Sequence, residues 1–237
     1  MIIRGVNKQN LFQDEEDRQH FLDTLERNKF VSMFDIYCYC LMTNHIHLLI
    51  KEIEEPLSQI MKRISGRYVY LYNSKYNRCG HLFQERFRSE PVESDEYFLT
   101  VVRYIHQNPV KAGLSSSVSE YRWSSYRDYL HKNELISSGF VLKMFADDPK
   151  KALGLFEQYM NEPNNDRCLE YETRPQVSDS AIKTYLTQQG INNVSDFQQL
   201  DKKRRNEILT ALKLMEGATI RQISRLTGIA KSVIGRL

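Results

Sequence analysis

His45 and His47 stand two residues apart in the run Tyr39-Cys40-Leu41-Met42-Thr43-Asn44-His45-Ile46-His47-Leu48-Leu49-Ile50. The run is apolar and β-like. Strand side chains alternate faces, so both imidazoles point to one side while Ile46, Leu48 and Ile50 point to the other. Imidazole suits borderline divalent cations, and the pair is a bidentate platform for one. Two ligands do not complete a site, and a lone His-apolar-His is a weak motif. Its weight comes from company: Tyr104 and Asn108 at i, i+4 share one helix face, and a basic, aromatic-rich segment lies between. A zinc site from Cys38, Cys40, His45 and His47 is the competing reading, but its spacing fits no structural zinc pattern and i, i+2 cysteines on a strand chelate poorly.

The elements that must position these groups follow from local pattern. Met1 to Gly5 reads as the end of a strand without a lead-in, which leaves a start upstream of Met1 open. Asp14-Glu15-Glu16-Asp17 supplies acids for the N-terminus of a helix running to about Asn28, with Phe21, Leu22 and Leu25 as its apolar stripe. Strands follow at 36–41 and 45–50, either separate or bent at Met42-Thr43-Asn44. Pro56 opens a helix with Ile60, Ile64 and Tyr68 at i, i+4, i+8. A basic loop over 73–80 leads to a strand at 82–88. Ser94 caps a third helix, with Asp95 and Glu96 in its first turn and Phe98, Val101, Val102 and Ile105 buried. Gly113 stops it, and Trp123-Ser124-Ser125-Tyr126 packs the end of the domain. The order β-α-β-β-α-β-α predicts a small α+β domain with an antiparallel sheet and helices on one side.

Composition bounds the rest. With 237 residues, 41% hydrophobic and 27% charged, the chain is an ordinary globular protein of one large domain, or a medium and a small one. No apolar run approaches the roughly 20 residues of a membrane span, and no signal peptide is visible. Four cysteines without a secreted framework point to a reducing cytoplasm. Net charge is only +3 but unevenly placed. Residues 57–88 carry seven basic residues against one acid, and 201–237 carry nine against three, which suggests two polyanion-facing surfaces. In the first, Tyr68, Tyr70, Tyr72, Tyr76, Phe83 and Phe87 are interleaved, a mixture suited to phosphate contact and base stacking, although Tyr68, Tyr72 and Phe87 read better as core.

Beyond His131 the character changes. A helical connector over 140–160 and a polar linker over 161–175 separate a first domain, 1–130, from an all-helical one, 176–237. The latter ends in Ala218 to Ile234, which reads as helix, glycine turn, helix. Ile220, Ile223 and Leu226 face inward before Gly228, and Ile229, Val233 and Ile234 after it. That is a helix-turn-helix pattern, with Lys231, Ser232 and Arg236 on or near the recognition helix. A plain helical hairpin is the bland alternative.

Five stretches, in order, resemble the HUH-type single-tyrosine transposases of bacterial insertion sequences, above all the REP-associated tyrosine transposases. They are Arg4-Gly5-Val6-Asn7; Leu41 to Leu49; Phe83-Gln84-Glu85-Arg86-Phe87; Tyr104-Ile105-His106-Gln107-Asn108-Pro109-Val110-Lys111-Ala112-Gly113-Leu114; and Trp123-Ser124-Ser125-Tyr126. The resemblance implies a ferredoxin-like or RRM-like sheet with the histidines on a central strand and the tyrosine on a facing helix. It implies that His45 and His47 are metal ligands and that Tyr104 is the nucleophile, leaving a 5′-phosphotyrosine link and a free 3′-hydroxyl. Asn108 falls where relatives often have glutamine, the third ligand. Mg²⁺ is the expected ion, with Mn²⁺ as a substitute.

The partner so implied is single-stranded or hairpin, palindromic DNA, acted on by a monomer or a homodimer. Expected DNA contacts are Arg4, Asn7, Arg63, Arg67, Lys75, Arg78, Arg86, Arg88 and Lys111 in the first domain, and Arg221, Lys231, Ser232 and Arg236 in the second. A metal on the scissile phosphate would neutralise charge and orient the leaving oxygen. A covalent tyrosyl intermediate keeps the energy of the broken bond, so rejoining needs no nucleotide cofactor. The expectation is therefore a metal-dependent transposase that nicks and rejoins DNA. The alternative is a domesticated, non-cutting regulator that keeps the scaffold and the helix-turn-helix.

Overall fold

The computed structural model of the chain describes residues 1–131, 133–169 and 177–237. It divides into two units, 1–170 and 171–237, each with its own hydrophobic core. The part of the expected linker at 170–175 lies outside the described residues.

The first unit is α+β. Strands β1 (Ile2–Arg4), β2 (Phe34–Leu41) and β3 (His45–Glu52) form an antiparallel sheet in the order β1-β3-β2, so the histidine strand is central. Its register sets His47 between Ile2 and Cys40, and His45 opposite Arg4. Ile46, Leu48 and Leu41 are fully buried, as the alternation predicts. The strand expected over 82–88 is not continuous. Gly5 bridges Phe83 and Ile2 bridges Arg88, with Gln84 N donating to Arg4 O and Arg88 N to Ile2 O, so an extended segment lines β1 without a regular ladder between. A charged stretch, Gln84-Glu85-Arg86, occupies that gap and stays exposed.

Three helices carry most of the packing. Helix α1 (Glu15–Ser32) starts in a capping box, Asp14 and Asp17 each accepting from the other's backbone N–H, and runs a turn beyond the expected end. Helix α2 (Leu57–Lys75) buries Ile60, Met61, Ile64, Tyr68 and Tyr72. The two helices meet through Phe12, Phe21 and Tyr68, whose rings lie 5.2 to 6.0 Å apart. Helix α3 (Asp95–Lys111) is capped by Ser94 and holds Pro109 in its last turn. There the missing N–H weakens the helix as it ends, and Gly113 follows at φ 68°.

Two segments are more integrated than their sequences suggest. Residues 121–125 run along the free edge of β2: Leu41 N donates to Trp123 O, Ser125 N to Tyr39 O, and Cys40 bridges Ser124. Helix α4 (Tyr126–Leu130) follows, and its Tyr129 hydroxyl donates to Tyr37 O. The connector forms two helices, α5 (Ser138–Lys143) and α6 (Pro149–Asn161), the latter capped by Asp148. Val141, Phe156 and Met160 are buried in the first core, so residues 133–169 are built into this unit. The reason is apolar: Phe156 stacks on Tyr129 with ring centroids 4.4 Å apart.

The second unit is all helical: α7 (Asp179–Gln188), α8 (Val194–Gln199), α9 (Lys202–Leu214), α10 (Ile220–Thr227) and α11 (Lys231–Arg236). Ile182, Phe197, Leu209, Leu212, Ile223 and Ile234 are its fully buried centre. The turn between α10 and α11 is made by Gly228 at φ 72°, a conformation that suits glycine. Of the expected inward residues, Leu226 and Ile229 are only partly buried and two are exposed, Ile220 at 40% and Val233 at 44%. With six residues α11 completes under two turns, so only Ile234 reaches the core.

Candidate active site

Helix α3 brings Tyr104 over the histidine face of the sheet. The rings of His45 and His47 lie 5.0 Å apart, and that of His47 lies 5.8 Å from that of Tyr104, each pair edge to face. Strand alternation and the tyrosine helix together thus produce one cluster from residues nearly sixty positions apart. His47 is 4% exposed and Tyr104 also 4%. The Lys111 ammonium stands 5.4 Å from the centre of the Tyr104 ring and is tied to Asn164 Oδ1 and to the Asp166 carbonyl.

The electrostatics keep both imidazoles neutral. Burial pushes His45 down to about 4, helped by the Arg4 charge. Burial holds His47 well below its usual value, with His45 and the N-terminal amine adding to the effect. Neutral imidazole is the form that binds a metal. His45 Nδ1 lies 2.7 Å from Asn44 Oδ1, a bond that sets Nδ1 as the protonated nitrogen and leaves Nε2 with a free lone pair. His47 Nε2 is buried without a hydrogen-bond partner among the described residues. A bound ion would satisfy a buried polar atom of that kind. The two histidines therefore fit a divalent ion as donors.

Asn108 donates from Nδ2 to the Tyr104 carbonyl, one turn back on α3, at 2.8 Å. That bond fixes the amide and leaves Oδ1 as the atom able to ligate. Among the described residues no group of three His, Cys, Asp or Glu side chains converges on a common point, so Cys38 and Cys40 do not join the histidines in a zinc cluster. Both thiols are buried, and burial raises the Cys40 thiol well above its ordinary range.

The expected DNA contacts fall into two groups. On α2, Arg67 is exposed on one flank with Lys62 and with Tyr70, which is 74% exposed; Arg86, Asn7, Arg221, Lys231, Ser232 and Arg236 are exposed too. Others are engaged within the protein. Lys75 Nζ meets Asp14, Glu16 and Asp17 at 2.8 to 3.0 Å and joins α2 to the N-terminus of α1. Arg63 pairs with Glu55 and donates to Ser32 Oγ. Arg78 donates to Gln9 Oε1 and lies over the Tyr72 ring, and Arg88 lies 3.9 Å from Glu85. Arg4 sits opposite His45 in the sheet and lowers its basicity. Tyr68 and Tyr72 are core, as expected.

Two contributors escaped the sequence reading. Asn44, which orients His45, carries a local signal in hindsight: a side-chain acceptor directly before the first histidine. Ser125, which bonds His106 on α3, has none, because its partner lies nineteen residues away on another element.

Residues 1–108 match the family described as Transposase IS200 like, a match that takes in His45, His47, Tyr104 and Asn108. A solved structure of a REP-associated tyrosine transposase bound to a REP hairpin is similar at 18% identity and a TM-score of 0.49, over 59% of this chain and 84% of that one. No curated protein matches the chain.

Proposed function

We propose that this chain, whose residues 1–108 match the IS200-like transposases, cuts and rejoins single-stranded or hairpin DNA through Tyr104. The observation that carries the reading is the buried, unpartnered Nε2 of His47 beneath a tyrosine ring 5.8 Å away. His45, His47 and Asn108 would hold a divalent cation, Mg²⁺ by resemblance, whose chemistry is to neutralise the scissile phosphate and polarise its leaving oxygen.

The chain's own residues supply the remainder. The Tyr104 oxygen attacks phosphorus and the bond to the 3′ oxygen breaks. The phenolic proton is lost, the departing 3′ oxygen gains one, and the 5′ phosphate stays on the tyrosine. Asn44 holds the His45 ring in the tautomer that offers Nε2. The Tyr104–Lys111 contact sets a cation beside the nucleophile, where it would meet phosphate charge. The flank of α2 with Lys62, Arg67 and Tyr70 gives charge and a stacking face for an unpaired strand. In the second unit, α10 and α11 act as a helix-turn-helix that binds duplex DNA through Lys231, Ser232 and Arg236, all exposed.

A single experiment tests the core of this. The protein and its Tyr104→Phe form are incubated with single-stranded DNA from the flanks of the gene, with Mg²⁺ or EDTA. A metal-dependent covalent adduct that needs Tyr104, with DNA affinity nearly unchanged in the variant, is the expected result. Binding without adduct under any metal favours the second reading, a non-cutting regulator. The independent core of the basic C-terminal unit supports that alternative, since such a unit can bind DNA without the first.

A further inference from the structure

His106 is a buried titratable side chain that the proposed chemistry does not use. It is 0% exposed, and its ring packs edge to face on Tyr126, Tyr129 and Phe156. Its Nε2 lies 2.9 Å from Ser125 Oγ. Ser125 is itself fastened to β2: its Oγ accepts from Tyr39 N at 2.9 Å and lies 3.3 Å from Tyr39 O, which also accepts from Ser125 N. With Nε2–H donating to Oγ and the hydroxyl donating on to Tyr39 O, the serine is satisfied. What remains is a buried Nδ1 with no partner among the described residues.

We propose that His106 is a positioning residue whose bond to Ser125 fixes the roll of α3, and so holds Tyr104 against His47. Two residues along a helix turn roughly 200°, so His106 and Tyr104 lie on nearly opposite flanks of α3. One flank is bonded to the β2 edge and the other carries the tyrosine over β3. Cys40, next to Tyr39 on β2, is the register partner of His47. Both ends of the Tyr104–His47 contact are therefore tied to one short stretch of β2. The apolar residues under α3 (Phe98, Val102, Ile105) resist its rotation through shape, and Arg103 and Gln107 tie it to residues 160–166, whereas the His106–Ser125 bond ties it to the sheet edge and has an angle to keep. An apolar residue at 106 would fill the space without leaving an unpaired nitrogen. What histidine adds is the directional bond.

The catalytic consequence rests on Tyr104 being the nucleophile; the geometric claim does not. The test uses full-length His106→Leu, which removes the bond, His106→Gln, which keeps a terminal N–H donor, and Ser125→Ala, which removes the bond from the other side. Three readouts are compared: the nuclear Overhauser contact between the His47 and Tyr104 rings, affinity for single-stranded DNA from the gene's flanks, and the single-turnover adduct rate with Mg²⁺, corrected for folded fraction.

In His106→Leu and Ser125→Ala the ring contact should weaken and the rate fall about 10- to 100-fold. Affinity should stay within about twofold, the signature of lost alignment, not lost binding. His106→Gln should restore both contact and rate. An unchanged ring contact and rate in His106→Leu overturns the proposal. So does a parallel loss of binding and rate that Gln does not rescue, which marks a purely structural residue. If His106→Leu does not fold, Ser125→Ala decides by the same criteria. If the unmodified protein forms no adduct, the transferase reading fails, and the ring contact alone decides the positioning claim.

Discussion

Three buried, neutral histidines should make the first unit unusually sensitive to mild acid. Burial lowers His45 to about 4, His106 to about 3 and His47 well below its ordinary value. A base whose folded pKa is depressed adds stability above its unfolded pKa of about 6.5 and loses it as pH falls below that. For each group the loss is RT ln(1 + 10^(6.5 − pH)) until the folded pKa is reached, so about 0.8 kcal/mol at pH 6 and about 2 kcal/mol at pH 5. The three together lose about 2.5 kcal/mol at pH 6 and about 6 kcal/mol at pH 5, against a total of about 5–15 kcal/mol for a typical domain. Of the carboxylates, Asp14 and Glu55, lowered by Lys75 and Arg63 respectively, titrate below this window, whereas burial raises Asp128 toward it, and protonating that group works against the loss. The assay is urea unfolding in EDTA from pH 7.5 to 5, followed by tryptophan fluorescence. Trp123 is the single tryptophan of the chain and packs on the first core, so the signal reports that unit. The midpoint should hold above pH 7 and drop steeply below 6.5, and His106→Gln should remove about a third of the slope. A midpoint that stays flat from pH 7 to 5 would refute the buried, neutral state of these imidazoles.

Other perturbations separate folding from DNA contact. Gly228→Ala would place a Cβ 2.7 Å from Val194 Cγ1 at φ +72°, and should cost the second unit about 1–3 kcal/mol. Circular dichroism should register that loss while Trp123 fluorescence melts as before. Lys75→Met strips Asp14 and the 2%-exposed Asp17 of their ammonium and should lower stability by about 1–3 kcal/mol, with the salt dependence of DNA binding unchanged. Arg86→Ala should do the reverse, reducing the log–log salt slope by about one without moving the melting temperature. Replacing Lys231 and Arg236 together with Ala should reduce the slope for duplex DNA by about two and leave single-strand binding intact; an unchanged duplex affinity would remove α11 from the DNA surface.

What the sequence disclosed was what local periodicity encodes. His45 and His47 on one face of a strand follow from period two, and Tyr104 with Asn108 from i, i+4 spacing. The caps at Asp14 and Ser94 and the glycine turn at 228 are equally local. The edges of these signals failed for physical reasons. Val233 sits at an apolar-looking position but on a helix too short to bury two residues. The 82–88 segment has strand residues yet pairs only at its ends. Lys75 reads as one more cation in a basic run, because charge counting cannot see that Asp14, Glu16 and Asp17 gather at the start of the neighbouring helix 58 to 61 positions away.

The same limit explains why the supports of the site were harder to read than the site itself. Segment 121–125 contains Trp123-Ser124-Ser125, which reads only as packing the end of the domain, and it becomes a strand edge because β2 has backbone groups to satisfy on that side. Segment 161–169, polar and proline-bearing, reads as a linker until its partners are known. Arg103, 11% exposed, binds Asp166 through both Nε and Nη2, and Gln107 donates to the carbonyls of Met160 and Glu162. At about 100° per residue, Arg103 and Gln107 lie between His106 and Tyr104 around α3, with His106 an i, i+3 step from Arg103 and Tyr104 an i, i+3 step from Gln107. A tyrosine on a helix tied by directional polar bonds is held in a more sharply defined orientation than apolar packing alone supplies. In this domain the candidate groups His45, His47 and Tyr104 are written in short-range pattern, whereas their alignment depends on side chains whose partners only the tertiary fold reveals.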